Sequence, residues 1–192
     1  SSGSFKLAVW ADGDFISETL ATKKAWEIKT LQDMASLTPS QSLPKPNHAT
    51  TTTTLFYDIG ANVGYYSLAA AAKFKGISVM SFEPSSNTFL KFQRNIELNR
   101  LKNITPFQQA ISDKPKEQVL YVSGQDNTGM SGFQKAENFT GKTELVSCTT
   151  IDLYISKTNL HKLDIVKIDI EGAEMNVLKG MTDTIINHQP VL

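Results

Sequence analysis

The sequence predicts an α/β protein whose mostly parallel sheet is covered by helices on both faces, in three layers. From Leu55 onward, short runs of β-branched and aromatic residues alternate with helical patterns, which is typical of a doubly wound sheet. The first of these runs leads through a glycine turn into an alanine-rich helix. A strand, a glycine turn and a helix in this order indicate a Rossmann-like fold that binds a nucleotide-type ligand.

The chain of 192 residues fits one such domain with an N-terminal addition. A helical apolar pattern within residues 14–37 is followed by a connector rich in Pro, Ser and Thr. We therefore expect residues 1–54 to form an N-terminal helix and linker that cap the site. Residues 55–192 are expected to form the Rossmann-like domain.

The elements follow one another in a regular order along this domain. Gly64 and Gly76 bracket the first helix, Ser86 is placed to cap the second, and Gly180 ends a later one. Two further strands surround a polar, glycine-rich loop at 123–132, a kind of loop that is often functional. The predicted strands are 55–59, 77–82, 104–110, 119–122, 145–149 and 163–170, with a fifth strand of the main sheet beginning at 190–192.

Overall charge and composition limit the class of partner. A net charge of zero and a pI of 6.8 give no reason to expect a nucleic-acid partner. No apolar run approaches membrane-spanning length, and no signal peptide is visible. The single cysteine, Cys148, excludes an internal disulfide and favours a reducing, cytoplasmic location. Oligomeric state is left open.

The residues of the first turn favour S-adenosylmethionine over a dinucleotide. A carboxylate at Asp58, two residues before Gly60, would repel a pyrophosphate but attract an ammonium or a sulfonium group. Gly60 and Gly64 would let backbone approach the ligand, whereas Asn62 replaces the middle glycine of the dinucleotide pattern. Glu83, at the end of the second strand, would accept the ribose hydroxyls of either ligand. The alternatives are a helix N-cap role for Asp58 and a solvated position for Glu83.

Charged residues near the end of the fourth main strand are the candidates for catalysis. Lys167 and Asp169 share one face of a strand that should be apolar on both faces. Asp169 lies near the carboxyl end of this strand, where it could bind the cofactor or position the acceptor, and Glu171 could do the same. Asp169 and Glu171 are also the best candidates for a general base, and Lys167 would serve only if burial depressed its pKa. Alternatively, Lys167 and Asp169 form a structural pair, and Glu174 favours the start of its helix. The acids match no strong metal pattern, so no metal is expected.

Several motifs, in order, resemble the FkbM-type methyltransferases, a class I, S-adenosylmethionine-dependent family. The resemblance implies the class I methyltransferase fold and methyl transfer to a hydroxyl of a sugar, polyketide or similar metabolite. It also implies a sheet that continues past a fifth strand, so we expect a C-terminal truncation. The motifs are Asp58-Ile-Gly-Ala-Asn-Val-Gly-Tyr-Tyr-Ser67, Ser81-Phe-Glu-Pro84, Asn95-Ile-Glu-Leu-Asn99, Ala110-Ile-Ser-Asp113, Thr150-Ile-Asp152, Val166-Lys-Ile-Asp-Ile-Glu-Gly-Ala-Glu174 and Val177-Leu-Lys-Gly180.

The same resemblance places further ligand contacts. Ala110, Ile111 and Ser112 would lie beside the adenine ring, and Tyr65 or its neighbour Tyr66 would cover the methionine moiety. The acceptor pocket would be walled by the loop at 126–131 and by the N-terminal helix, while the three histidines are expected to be incidental. The function so predicted is O-methylation of a sugar, glycan or secondary metabolite. A non-catalytic cofactor-binding or scaffold module and, less favoured, an NAD-dependent oxidoreductase remain the alternatives.

Overall fold

A computed structural model describes residues 6–7, 53–122, 131–135, 139–158 and 163–192. The predicted N-terminal helix, most of the linker and the polar loop at 123–130 lie outside these residues, as do His48 and His161. The division of the chain at residue 54 therefore stays a prediction. The described elements are β1 (Thr54–Ile59), α1 (Tyr65–Lys73), β2 (Ile77–Phe82), α2 (Ser86–Asn99), β3 (Ile104–Phe107), β4 (Ala110–Ile111), β5 (Lys116–Val122), β6 (Lys142–Thr149), α3 (Ile151–Ser156), β7 (Ile165–Ile168), α4 (Glu174–Lys179) and α5 (Thr182–His188).

The main sheet has four parallel strands in the order β3-β2-β1-β7, which confirms the predicted parallel α/β architecture. Successive strands run outward from β1 to β3, and the chain then returns to the other side of β1 as β7. The order of the strands thus reverses between β1 and β7. Val191 forms an isolated parallel bridge to Ile165, so the segment predicted to begin a fifth strand lies beside β7.

Side chains that alternate along β1 separate two apolar layers. Phe56 belongs to a core with Leu68 of α1 and Phe92 of α2. Tyr57 belongs to a second core that is built with α3, α4 and α5. Because helices cover both faces of the sheet, the three-layer prediction is confirmed. Of the helices that the structure describes, none combines the length and the apolar character that a membrane crossing requires.

A second, three-stranded sheet has the order β4-β6-β5 and contains an antiparallel hairpin of β5 and β6. It corrects the prediction of a single strand over 104–110. Pairing with β2 ends at Phe107, and Ala110 pairs instead with Cys148 of β6. The chain leaves the main sheet between these points because Ala110 and Cys148 pack into the core of the second sheet.

Two helix ends differ from the predictions. Helix α1 ends at Lys73, before Gly76, which lies in the turn to β2 with φ +74°. Helix α2 begins at Ser86, so its N-cap is Ser85 rather than Ser86. At this N-terminus, side-chain carboxylates accept hydrogen bonds from the backbone N–H groups: Glu83 accepts from the Ser85 N–H and Glu144 from the Ser86 N–H. The serine hydroxyl is therefore not needed as a cap.

Candidate functional site

The turn between β1 and α1 is held in a left-handed conformation and packed against its neighbours. Gly60, Asn62 and Gly64 all have positive φ. A Cβ on Gly60 would lie 1.9 Å from the Asp169 carbonyl oxygen, and one on Gly64 would lie 2.1 Å from the Phe92 ring. Both glycines are thus required by close packing as well as by φ. The turn after β1 is pressed against the residue that follows β7.

Asp58 lies at the centre of a buried polar row. Register places it between Ser81 of β2 and Lys167 of β7, and its relative exposure is 0%. Its Oδ2 accepts a hydrogen bond of 2.6 Å from Ser67 Oγ, which in turn lies 2.8 Å from Ser81 Oγ. Its Oδ1 makes an ionic contact of 3.3 Å with Lys167 Nζ that falls short of hydrogen-bond geometry. The N-cap of α1 is Gly64, so Asp58 does not cap that helix.

Lys167 bridges the ends of β1 and β7 and is part of the same polar row as Asp58. Its Nζ donates to the Gly60 carbonyl at 3.2 Å, and it lies 3.3 Å from Asp58 Oδ1 and 3.5 Å from Asp169 Oδ2. The same ammonium lies 4.9 Å from the centre of the Tyr66 ring. Burial acts to lower the pKa of Lys167, but the two carboxylates more than offset it and raise that pKa. The condition for Lys167 to act as a base is therefore not met, whereas the predicted contact between Lys167 and Asp169 is present as an ion pair.

Glu83 links the turns that follow β1 and β2. Its carboxylate accepts backbone N–H bonds from Asn62 at 3.0 Å and from Ser85 at 2.9 Å. Burial raises the pKa of Glu83 to about 7, against the lowering effect of these two bonds. The alternative of a solvated acid is wrong, because only 8% of this residue is exposed.

The turn after β7 is more open and more acidic. The Asp169 side chain is 60% exposed, and Glu171 is exposed with φ +51°, which is uncommon for a residue with a Cβ. Burial, then the charges of Asp169 and Glu174, raise the pKa of Glu171. Glu174 lies in the first turn of its helix, as predicted, and its Oε1 accepts from the N–H groups of Gly172 and Ile170 in the turn that precedes the helix. This turn thus presents two accessible carboxylates.

The remaining predicted contacts lie in less accessible places. Tyr65 is partly buried at the start of α1, with its ring packed edge-on against Tyr66. Ala110, Ile111 and Ser112 are each only 3% exposed, because they form or follow β4 of the second sheet. Their proximity to an adenine ring stays a prediction.

Ser67 and Ser81 are site residues that the sequence reasoning did not single out. They extend the polar row from Asp58 through two buried hydroxyls. The available signal was a serine in the otherwise alanine-rich, buried face of α1. His188 has a structural role, since its Nδ1 accepts from the Leu163 N–H at 3.0 Å. Within the described residues, no three His, Cys, Asp or Glu side chains are grouped so as to hold a metal ion.

An open parallel sheet with a tight turn and acidic strand ends at its carboxyl edge defines a class of α/β proteins that bind nucleotide-type ligands. The sequence model of the Methyltransferase FkbM domain matches residues 58–192. The chain therefore belongs to the FkbM methyltransferase family. The predicted family and fold are thereby confirmed.

Several curated proteins are similar to the chain. Methyltransferase 1 of Beauveria bassiana is 28% identical over 143 residues, which cover 66% of this chain and 57% of that protein. The hexuronic acid methyltransferase AglP of Haloferax volcanii is 26% identical, covering 68% and 51%. The 31-O-demethyl-FK506 methyltransferase FkbM of Streptomyces tacrolimicus is 26% identical, covering 66% and 59%. The chain thus spans between half and three fifths of the length of these relatives.

Among solved structures, the YcgJ protein of Bacillus subtilis aligns with 45% of this chain and 35% of its own, at 13% identity and a TM-score of 0.34.

Proposed function

We propose that this chain is the S-adenosylmethionine-binding part of a methyltransferase that acts on a hydroxyl oxygen of a sugar, glycan or other small molecule. Membership of a methyltransferase family supports the reaction class. The names of two relatives support the acceptor class, since one acts on a hexuronic acid and the other on 31-O-demethyl-FK506.

One observation carries the proposal of a cofactor site: the candidate residues meet where the strand order reverses. In open α/β sheets, ligands bind outside the carboxyl ends of the strands at such a point. Here the reversal lies between β1 and β7, and the Gly60 turn is packed there against Asp169. Glu83 joins the same edge through its bond to the Asn62 amide. The Gly60 turn, the buried acid Glu83 and the exposed acid Asp169 together suit S-adenosylmethionine.

The roles follow from the position of each group. Glu83 would accept ribose hydroxyls, because each oxygen of a carboxylate keeps a second lone pair after accepting one amide. The N-terminus of α1, which follows Gly64, would favour the carboxylate of the cofactor. Tyr65 would cover the methionine moiety, and residues 110–112 would lie towards the adenine ring.

The bound cofactor would supply a methyl group on a sulfonium sulfur, and the chain would orient the acceptor and remove its proton. Glu171 is the better base of the two accessible acids because its raised pKa brings it closer to neutral pH. Asp169 shares the Lys167 cation and is therefore less available as a base.

Calorimetric titration with S-adenosylhomocysteine, with NAD as the control ligand, tests the proposal. At a pH above the Glu83 pKa of about 7, we expect S-adenosylhomocysteine alone to bind, and Glu83→Gln to weaken its binding by about tenfold or more, the cost of losing a charged hydrogen-bond partner. Glu97→Gln, the same change at an exposed position of α2, is the matched control. Binding of NAD in place of S-adenosylhomocysteine would revive the oxidoreductase alternative, against which the family membership speaks.

A cofactor-binding module without catalysis is distinguished by a second assay. When a methyl acceptor is supplied, such a module would bind S-adenosylhomocysteine but would transfer no methyl group. An enzyme would transfer it and would lose the activity in Glu171→Gln. Retained binding with no activity in the unaltered chain would favour the module.

A further inference from the structure

Asp58 and Asp169, the two acids at the point where the strand order reverses, differ in how accessible they are to a ligand. We propose that Lys167 is a positioning residue: it balances Asp58 inside the sheet and holds Asp169 at the accessible edge, so that Asp169 meets the cationic part of the cofactor. This inference rests on the proposed function and reassigns the contact that the sequence predicted for Asp58.

The Asp58 carboxylate is buried and has partners within the protein for both of its oxygens. Its relative exposure is 0%, one oxygen accepts from Ser67 and the other faces the Lys167 ammonium. A ligand would have to displace one of these partners to reach it. Separating a buried carboxylate from its partner is costly, so the direct contact is unfavourable for Asp58.

Lys167 is held in one place by its surroundings. An ammonium has three N–H donors, and three oxygens surround this one, from Gly60, Asp58 and Asp169. The Tyr66 ring lies over the same group. Register fixes the other end of the side chain, since Lys167 stands opposite Asp58 in the sheet. The ammonium therefore lies between one buried and one exposed carboxylate.

The charges of this cluster do not cancel. Two carboxylates and one ammonium leave a net charge of −1 (−1 + 1 − 1), formed by Asp58, Lys167 and Asp169. Asp169 is the accessible member, with a side chain that is 60% exposed. An exposed negative charge at the reversal point suits a ligand that carries ammonium and sulfonium groups.

Binding of sinefungin, an unreactive analogue with an ammonium in place of the methylsulfonium, tests the assignment. We expect Asp169→Asn to weaken the binding of sinefungin by about tenfold, the usual effect of removing a charged hydrogen-bond partner, with a melting temperature lowered by no more than a few degrees. Asp183→Asn, at an exposed acid of α5, is the control and should bind as the unaltered chain does.

The positioning role is tested by a charge-matched pair of substitutions. Asp58→Asn combined with Lys167→Met leaves the net charge of the cluster at −1 (0 + 0 − 1), so attraction at long range is kept. We expect this double variant to bind sinefungin about fivefold less tightly, because Asp169 loses its orienting partner. A purely structural role for Lys167 would lower the melting temperature and leave the affinity of the folded protein unchanged.

Three results are distinguishable. Sinefungin affinity unchanged in Asp169→Asn, or unchanged in a folded double variant, would overturn this inference. Should the double variant fail to fold, Lys167→Arg takes its place for the positioning role, since it keeps the charge but changes the length and geometry of the side chain. Asp169→Asn, which alters an exposed side chain, still decides the contact with the cofactor. Failure of the unaltered chain to bind both sinefungin and S-adenosylhomocysteine would instead overturn the proposed function.

Discussion

The ends of β1 and β7 lie side by side at one edge of the sheet, yet they use the same type of residue differently. Asp58 is the last residue but one of β1 and is fully buried, with a hydroxyl and an ammonium as partners. Asp169 follows β7 with most of its side chain exposed. Both acids contact Lys167, so what distinguishes them is how accessible each carboxylate is to a ligand. A carboxylate enclosed by the sheet supports the fold, whereas one outside it is free to meet a ligand.

The adjoining turns differ in the same way. Gly60 and Gly172 have similar positive φ values, +79° and +88°. A Cβ at Gly60 would strike the backbone of Asp169, whereas one at Gly172 would meet nothing within 4 Å. The first turn is therefore fixed by packing and the second by φ alone. Close packing is thus found at the β1 turn, and accessible acids are found at the β7 turn.

The largest expected effect separates these two turns. Gly60→Ala should lower the free energy of unfolding by about 4 kcal/mol, because strain at positive φ adds to a backbone clash. Gly172→Ala should cost only about 1 kcal/mol, from φ alone. Chemical denaturation measures both. Equal losses would mean that the β1 turn is not packed as described.

The second prediction concerns the two acids. Asp58→Asn should cost about 3 to 4 kcal/mol, since it leaves the enclosed Lys167 ammonium without its buried partner. Asp169→Asn should cost under about 1 kcal/mol, the range of exposed ion pairs. Adding Lys167→Met to Asp58→Asn should recover part of the loss. A larger loss from Asp169→Asn than from Asp58→Asn, measured by denaturation, would reverse the comparison.

The third prediction is a pH dependence at Glu83. Burial raises the pKa of Glu83 from 4.5 to about 7, so between these values the native carboxyl holds a proton that the unfolded chain has lost. Because the native state binds more protons than the unfolded state in this window, the free energy of unfolding falls as pH rises through the window and then levels off. The fall should approach roughly 3 kcal/mol.

The free energy of unfolding of Glu83→Gln, subtracted from that of the unaltered chain across pH 4 to 8, isolates this contribution. Glu97→Gln is the control, and its difference should stay flat. A flat difference for Glu83→Gln as well would show that Glu83 is not held in a desolvated site.

The fourth prediction concerns Glu171 at the open turn. Glu171→Gln should lower kcat for methyl transfer about 100-fold, or about 2.7 kcal/mol, the lower end of general-base catalysis. Binding of S-adenosylhomocysteine should be unchanged, because the base acts on the acceptor. Steady-state rates with an acceptor provide the test, and an unchanged kcat would remove Glu171 from the reaction.

Local patterns in the sequence predicted the parallel sheet, the turn after β1 and the strand that carries Lys167. They did so because strands, glycine turns and helices have short-range signatures. The split at Phe107 was not predictable in this way, since both halves read as strand. Which sheet each half joins depends on pairing with β2 or with β6, residues that are remote in sequence.

The charge arrangement at the site was predicted only in part. The sequence placed Lys167 and Asp169 on one face of a strand predicted over 163–170. β7 ends at Ile168, before Asp169, but the structure still brings the two side chains together. The register that sets Lys167 opposite Asp58 is a property of the folded sheet. This contact raises the pKa of Lys167, and it therefore decides against Lys167 as a base.

The most direct test of the account is to locate the bound cofactor by amide chemical shifts. A ¹⁵N-labelled chain would be titrated with S-adenosylhomocysteine. The account predicts shifts at residues 60–64, at 83–85 and at 169–172, along the carboxyl edge of the sheet. Shifts confined to the opposite edge, around Thr54, Gly76 and Leu163, would contradict it.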